Sequence, residues 1–190
     1  MKLIQYKINR YGKEPLIGVL LHEGRQWIAL KYIFRDYELD GICFVNKHFI
    51  KELREIDTES MIGKNPLNYV DMVTKIILLK YTDYEKDRDF VSNLNIDDYQ
   101  DLFNCLKSLG QLIEIGLHKS ETFSVGVIRD ILEKSFTINS IDPDVNDEGK
   151  RRIEYSKVRY IKINTDYLES LNLYIKWKEK EFLTKNGTDL

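Results

Sequence analysis

Short runs of apolar residues, rich in β-branched and aromatic side chains, occupy most of the first 57 positions of the chain. Such runs are typical of β-strands, because the pleated surface of a sheet packs these side chains well. Turn residues such as Glu23-Gly24-Arg25 separate the runs. Strands this short, joined by tight turns, favour a small closed barrel over a parallel sheet, which would need crossover helices. Five strands are predicted in this part of the chain, at residues 2–9, 16–21, 26–34, 42–45 and 49–56.

The spacing of apolar residues changes after Pro66 to steps of three and four, the period of an amphipathic helix. This helix is predicted to end the first unit of the chain. Residues 83–93 are charged and weakly patterned, and they are predicted to form a linker. A second helix is predicted over residues 97–109, because acidic residues stand at its start and Gly110 follows as a C-cap.

Strand patterns return after this second helix, so the order of elements repeats that of the first unit. The patterns predict strands at residues 112–118, 123–131, 135–141 and 151–163, an acidic loop at 142–150 and a terminal helix that begins at Asp166. Two domains are therefore predicted. Residues 1–82 form a β-barrel unit with a C-terminal helix, and residues 95–184 form a β-barrel unit with flanking helices.

Matched segments indicate an internal duplication of about 60 residues. Residues 16–20 (LIGVL) match residues 124–128 (SVGVI), which sets Gly18 against Gly126. Both are predicted to be structural glycines, because a residue without Cβ lets a barrel strand bend sharply and another strand pack closely. Further matches join residues 46–47 with 156–157, and residues 49–51 with 160–162 after one inserted residue.

This arrangement resembles the small β-barrels of Sm-like and SH3-like proteins, in which five strands close the sheet and one bent strand carries a central glycine. The chain is also similar to a group of uncharacterised bacterial proteins, through Gly126-Val127-Ile128, Phe136, Asp142-Pro143-Asp144 and Tyr160-Ile161-Lys162. The resemblance implies an α+β fold of two related small antiparallel β-barrels with flanking helices. The Asp, Asn and Arg-Gly residues that hold RNA in Sm proteins have no counterpart here, so RNA binding does not follow from it.

The charge of the chain is nearly balanced, with a net charge of -2 and a pI of about 6.0. This balance argues against a protein whose main work is to grip a polyphosphate backbone. The halves differ, because residues 1–82 carry a net charge of +3 and residues 83–190 one of -5. No apolar run is long enough to span a bilayer, so we expect a cytoplasmic protein without membrane contact.

No catalytic motif, metal-ligand spacing or phosphate-binding loop occurs in the sequence. The two cysteines, Cys43 and Cys105, lie 62 positions apart and are expected to be reduced. The acidic segment that begins at Asp142 lacks the glycine and the final glutamate of a calcium loop. We therefore expect no cofactor, no metal and no catalytic residue, although an enzyme can assemble its site from distant residues.

Aromatic residues make up 12% of the chain. One cluster mixes them with cations as protein-binding surfaces do, and it is the candidate partner-binding site: Lys31, Tyr32, Phe34, Arg35 and Tyr37. The sequence therefore predicts a non-enzymatic binding module for another protein, such as an immunity or regulatory protein whose acidic half meets a basic partner. The alternatives are an Sm-like RNA-binding protein that stacks bases on the same cluster, and an enzyme with a dispersed site. A homo-oligomer is compatible with each of them.

Overall fold

Ten β-strands and four α-helices form the part of the chain that the computed structural model describes, residues 1–9, 15–34, 37–57, 68–118 and 123–186. The strands are β1 (Lys2–Ile8), β2 (Leu16–Glu23), β3 (Trp27–Ile33), β4 (Leu39–Asn46), β5 (Ile50–Ile56), β6 (Ile113–Leu117), β7 (Phe123–Ile131), β8 (Ser135–Ile141), β9 (Asp147–Glu154) and β10 (Val158–Ile163). The helices are α1 (Tyr69–Lys80), α2 (Tyr84–Ser92), α3 (Tyr99–Leu109) and α4 (Asp166–Asn186). Short 3-10 turns, Lys47–Phe49 and Tyr155–Lys157, precede β5 and β10.

The five strands predicted in the first 57 residues are confirmed. The helix predicted at residues 97–109 is confirmed as α3. The carboxylate of Asp98 accepts a hydrogen bond from the backbone N–H of Asp101 and so caps the first turn. Gly110 ends the helix with a φ of 63°, the left-handed conformation that glycine adopts without steric cost. Pro66 and residues 58–67 lie outside the described residues, and α1 begins at Tyr69.

Two segments differ from the prediction. Residues 83–93, predicted as a linker, form helix α2, which packs on the sheet through the fully buried Val91. Few apolar residues mark this helix, so its sequence is dominated by the solvent-facing charges. The segment at 151–163, predicted as one strand, is two strands separated by a 3-10 turn. The first of these, β9, already begins at Asp147 inside the predicted acidic loop.

The strands form one open antiparallel sheet in the order β5-β1-β2-β3-β4-β10-β6-β7-β8-β9. The expected pair of closed barrels is therefore not what the sheet shows. It stays open because β4 pairs with β10, which joins the two halves, while β5 and β9 each have one neighbour. A buried hydrogen bond of 2.9 Å from the Asn46 side-chain amide to the Val158 carbonyl strengthens the join. The fold is thus α+β, with one continuous sheet in place of two separate barrels.

Strand order and register correspond between the halves. Gly18 pairs with Tyr32 and Gly126 pairs with Ser140, so both partners are shifted by 108 positions. The last strands also begin 108 positions apart, at Ile50 and at Val158. The sequence matches of residues 49–51 with 160–162, and of 46–47 with 156–157, are therefore two to three positions out of register. No inserted residue is needed.

Three apolar clusters hold the sheet and the helices together. The largest packs α1, α2 and α3 on the sheet and continues across the junction of the halves. Its centre is Phe103 on α3, whose ring centroid lies 4.1 Å from that of Phe136 and 6.2 Å from that of Trp27. A second cluster fills the opposite face of the first half, and a third lies under α4. Within the described residues, no helix combines the length and the apolar character needed to cross a membrane.

The two outer strands, β9 and β5, carry charged residues at positions where the corresponding inner strand of the other half has apolar residues. Ile42 and Phe44 of β4 correspond to Lys150 and Arg152 of β9, as the shift of 108 positions shows. Ile163 of β10 corresponds in the same way to Glu55 of β5. Exposed charges on an outer strand disfavour the addition of a further strand, because pairing would desolvate them. The open edges are therefore protected against sheet extension.

We expect the double variant Lys150→Ile/Arg152→Phe to associate with itself, because it gives β9 the apolar side chains of β4 at the equivalent positions. Light scattering after size-exclusion chromatography over a range of concentrations would measure this. The matched control Lys176→Ile/Lys180→Phe makes the same kind of change on α4, away from an edge. A β9 variant that keeps the size of the unchanged protein would contradict this account of the edges.

Substitution of the two corresponding glycines should have unequal effects. A Cβ at Gly126 would overlap the backbone carbonyl of Asn139, whereas a Cβ at Gly18 would lie 3.3 Å from the Leu30 side chain. We expect Gly126→Ala to lower the free energy of unfolding by about 1–3 kcal/mol and Gly18→Ala to change it by less than about 1 kcal/mol. Urea unfolding followed by circular dichroism would compare them, and equal effects would argue against the closer strand approach at Gly126.

Candidate binding pocket at the junction of the half-sheets

A pocket of about 450 Å³ lies where β4, β10 and β6 meet, and we call it the junction pocket. Both halves of the chain supply its walls, since it includes the end of β3 and the start of β7 and α4. Aromatic side chains dominate the lining, with a small number of charged groups among them. The lining residues are Tyr32, Phe34, Asp40, Glu114, Phe123, Tyr160, Lys162, Thr165 and Tyr167.

A buried ion pair forms the floor of the junction pocket. Glu114 and Lys162 are direct register partners on β6 and β10, so their side chains leave the same face of the sheet. The Nζ of Lys162 lies 3.0 Å from the Oε1 of Glu114, and the two side chains are 10% and 7% exposed. Two charges are buried together only when they are paired, because each loses its hydration and the pairing has to offset that loss. The pair therefore fixes the relative positions of β6 and β10.

The ammonium group of Lys162 also faces aromatic rings. Its Nζ lies 4.2 Å from the ring centroid of Tyr32 and 5.2 Å from that of Tyr160. These contacts are cation–π interactions, in which the negative face of the ring attracts the cation. Tyr32 belongs to the first half and Lys162 to the second, so this contact crosses the junction.

Two aromatic pairs stand on opposite sides of the pocket mouth. Tyr32 and Phe34 are in edge contact at 6.3 Å on the side of the first half. Phe123 and Tyr167 are in edge contact at 6.0 Å on the other side. Phe34 is 50% exposed, Phe123 47% and Tyr167 38%. Large rings this exposed, gathered around one concave site, are typical of binding surfaces.

The remaining edge of the pocket is held by the start of α4. The Oδ1 of Asp40 accepts hydrogen bonds of 2.8 Å from the backbone N–H groups of Gly41 and Asp166. Thr165 caps the helix, because its hydroxyl oxygen accepts a hydrogen bond from the N–H of Leu168. A Cβ at Gly41 would overlap the carbonyl of Ile163, so a glycine permits this close approach of β4 to the end of β10. The position of Tyr167 is thereby fixed relative to the first half.

The charges of the pocket alter the acidity of neighbouring groups. Burial, followed by the negative charge of Glu114, raises the pKa of the Tyr167 hydroxyl. Cys43, the register partner of Lys162 on β4, is fully buried, and burial raises the pKa of its thiol to about 12 although the charge of Lys162 acts in the opposite direction. Cys43 is therefore a protonated thiol behind the ion pair, without nucleophilic character at neutral pH.

The predicted partner-binding cluster is divided by the fold. Tyr32 and Phe34 both line the junction pocket. Lys31 points to the other face of the sheet, where its Nζ lies 3.0 Å from a carboxylate oxygen of Asp87 on α2. Tyr37 is 42% exposed but does not line the pocket. Arg35 lies outside the described residues.

Several lining residues were not predicted from the sequence. Glu114 is the single charged residue of its strand, IEIGL, whereas Lys162 shares VRYIKI with Arg159. A charge in such an apolar strand indicates a buried partner, but the identity of the partner depends on which strands pair. Phe123 and Tyr167 had no local signal, since they are isolated aromatic residues at the starts of β7 and α4. Among the described residues, no group of His, Cys, Asp and Glu is placed to hold a metal ion.

Comparisons of the chain with protein-family models, with curated proteins and with solved structures gave no match. The function is therefore argued from the junction pocket itself.

We expect the loss of one partner of the buried pair to be much more harmful than the loss of both. Lys162→Met leaves the Glu114 carboxylate buried without its cation and should cost about 3–5 kcal/mol of stability. The double variant Glu114→Gln/Lys162→Met should cost less, because no uncompensated charge stays behind. Urea unfolding would measure all three proteins.

The exposed pair Lys2–Glu55 offers a control, since its side chains are 60% and 56% exposed at a distance of 3.0 Å. Lys2→Met should change stability by about 0–1 kcal/mol. A Lys162→Met protein as stable as Lys2→Met would mean that the pocket floor is hydrated and that the pair does not fix β6 against β10.

Proposed function

We propose that the protein is a non-enzymatic binding protein, and that it receives a side chain of another protein in the junction pocket. The observation that carries this proposal is the arrangement at the pocket mouth. Phe34 follows β3, Phe123 begins β7 and Tyr167 lies in α4, so both halves of the chain contribute, yet these partly exposed rings line one site. Aromatic anchors of this kind carry a large share of the binding energy in protein interfaces.

Two features favour a protein partner over RNA. Lys31, a cation assigned to phosphate or base contacts in the RNA alternative, is paired with Asp87 and is 18% exposed. Among the described residues that line the junction pocket, the carboxylates of Asp40 and Glu114 outnumber the one cation, Lys162. Carboxylates that line a site repel a phosphate backbone, so RNA would have to bind elsewhere.

We further infer that the two halves are related small barrels of the Sm-like and SH3-like kind, opened and fused through β4 and β10. The equal strand order, the shift of 108 positions and the 3-10 turn before each last strand support this relationship. A cytoplasmic location is proposed with it. Two free cysteines, Cys43 and Cys105, agree with a reducing compartment.

Photo-crosslinking tests the proposed function. p-Benzoyl-phenylalanine placed at Phe123 should give one adduct of defined mass in a native lysate, because this ring would touch the partner. The same probe at Tyr69, which is 53% exposed on α1, is the matched control and should give no such adduct. The adduct should survive nuclease treatment and should be lost when Phe34→Ala is added.

The partner identified in this way, prepared in pure form, should bind Phe34→Ala at least about 10-fold more weakly than the unchanged protein, and should bind Tyr69→Ala equally well. Calorimetry would measure both affinities. Adducts that nuclease removes would support the RNA alternative. Adducts that are the same at positions 123 and 69 would contradict the proposal.

A further inference from the structure

The chemistry of the junction pocket indicates which side chain of a partner it receives. This inference rests on the proposed function. We infer that the partner presents an arginine, whose guanidinium group enters between the two aromatic walls and donates hydrogen bonds to Glu114.

The first reason is a carboxylate acceptor at the floor of the pocket. The side chain of Glu114 lines the pocket, and its Oε1 lies 3.0 Å from the Nζ of Lys162. An ionised carboxylate has further acceptor positions beyond this contact. A ligand that supplies an N–H group can therefore make a charge-assisted hydrogen bond to it. We expect the inner end of the ligand to be such a donor.

The second reason is the excess of negative charge around this acceptor. Among the described residues that line the pocket, Lys162 neutralises one of two carboxylates, which leaves one negative charge. Both hydrogen bonds that Asp40 accepts go to its Oδ1. Two carboxylates in one pocket favour a cation over a neutral donor and disfavour an anion.

The third reason is the aromatic lining. Tyr32 and Tyr160 already hold one ammonium group, that of Lys162, over their rings. The outer rings of Phe34, Phe123 and Tyr167 repeat this chemistry nearer to solvent. These rings offer faces on which a flat cation can stack.

Arginine fits this pocket better than lysine does. Its guanidinium is flat, stacks on aromatic faces and carries five N–H donors in a fork, whereas the lysine ammonium is a compact and strongly hydrated charge. The fork can donate two parallel hydrogen bonds to one carboxylate, which a single ammonium does less well. A tryptophan could enter the pocket, but its one N–H group would make fewer hydrogen bonds to the carboxylates.

Titration of the full chain with blocked amino acids, followed by ¹H–¹⁵N NMR, tests the arginine. The probes are N-acetyl-arginine amide, N-acetyl-lysine amide and N-acetyl-tryptophan amide at millimolar concentrations. We expect the arginine probe to shift the backbone amides of Phe34, Glu114 and Phe123, and to bind at least about threefold more tightly than either other probe. Free arginine, which bears an extra carboxylate, should bind no better than the blocked form.

Two variants separate the contributions of ring and charge. Phe123→Ala should weaken the arginine probe at least about threefold, while Tyr69→Ala should leave it unchanged. Glu114→Gln/Lys162→Met keeps the net charge and avoids an unpaired buried ion, and it should remove the preference for arginine over tryptophan. Phe123→Ala keeps the test valid should the double variant fail to fold, because its ring is half exposed.

The outcomes distinguish this inference from the function on which it rests. Tighter binding of the tryptophan or lysine probe would overturn the inference that the partner presents an arginine. So would amide shifts caused by the arginine probe that are spread over the surface. Crosslinking at position 123 could still succeed in either case. Loss of both the probe shifts and the position-specific adduct would overturn the proposed function as well. Arginine shifts at the pocket together with a nuclease-resistant adduct would support both.

Discussion

The pairing of β4 with β10 is the constraint on which the rest of the structure depends. It turns two five-stranded halves into one sheet of ten strands, and it sets Cys43 opposite Lys162 and Phe44 opposite Ile161. On one face the apolar partners continue the core under α1, α2 and α3. On the other face the same pairing brings the ring of Tyr32 on β3 over the ammonium group of Lys162 on β10. A core and a pocket thus arise from opposite faces of a single strand pair.

How far the sequence predicts the fold depends on how each strand is buried. The strands of the first half were predicted because short runs rich in β-branched and aromatic residues, such as residues 16–21 and 26–34, are bounded by turn residues. The start of β9, residues 147–150, was predicted as loop, and its end was joined to β10, because β9 lies at the edge and buries little besides Ile153. The open form of the sheet could not be predicted either. Whether β4 pairs with β5 of its own half or with β10 is decided by contacts between residues more than 100 positions apart in the chain.

The candidate site was predictable only where its chemistry is local in sequence. Tyr32 and Phe34 lie in one short aromatic segment, and both line the pocket. Lys31 lies in the same segment but faces α2, because neighbouring side chains of a strand alternate between its faces. Glu114 and Lys162 become partners only when β6 and β10 pair. The ion pair specifies the register of β6 on β10 rather than adding net stability, because a wrong register would bury each charge alone.

The sheet has a single junction between its halves, and the number of junction pockets follows from it. The positions that correspond to Glu114 and Lys162 in the first half are Gln5 and Arg54, which pair in the same register on β1 and β5. β5 is an outer strand of the sheet, so no neighbouring half provides a second aromatic wall there. Two halves of the same strand order joined side by side therefore create one complete pocket and one incomplete counterpart. Each further half joined at an edge would complete one more pocket.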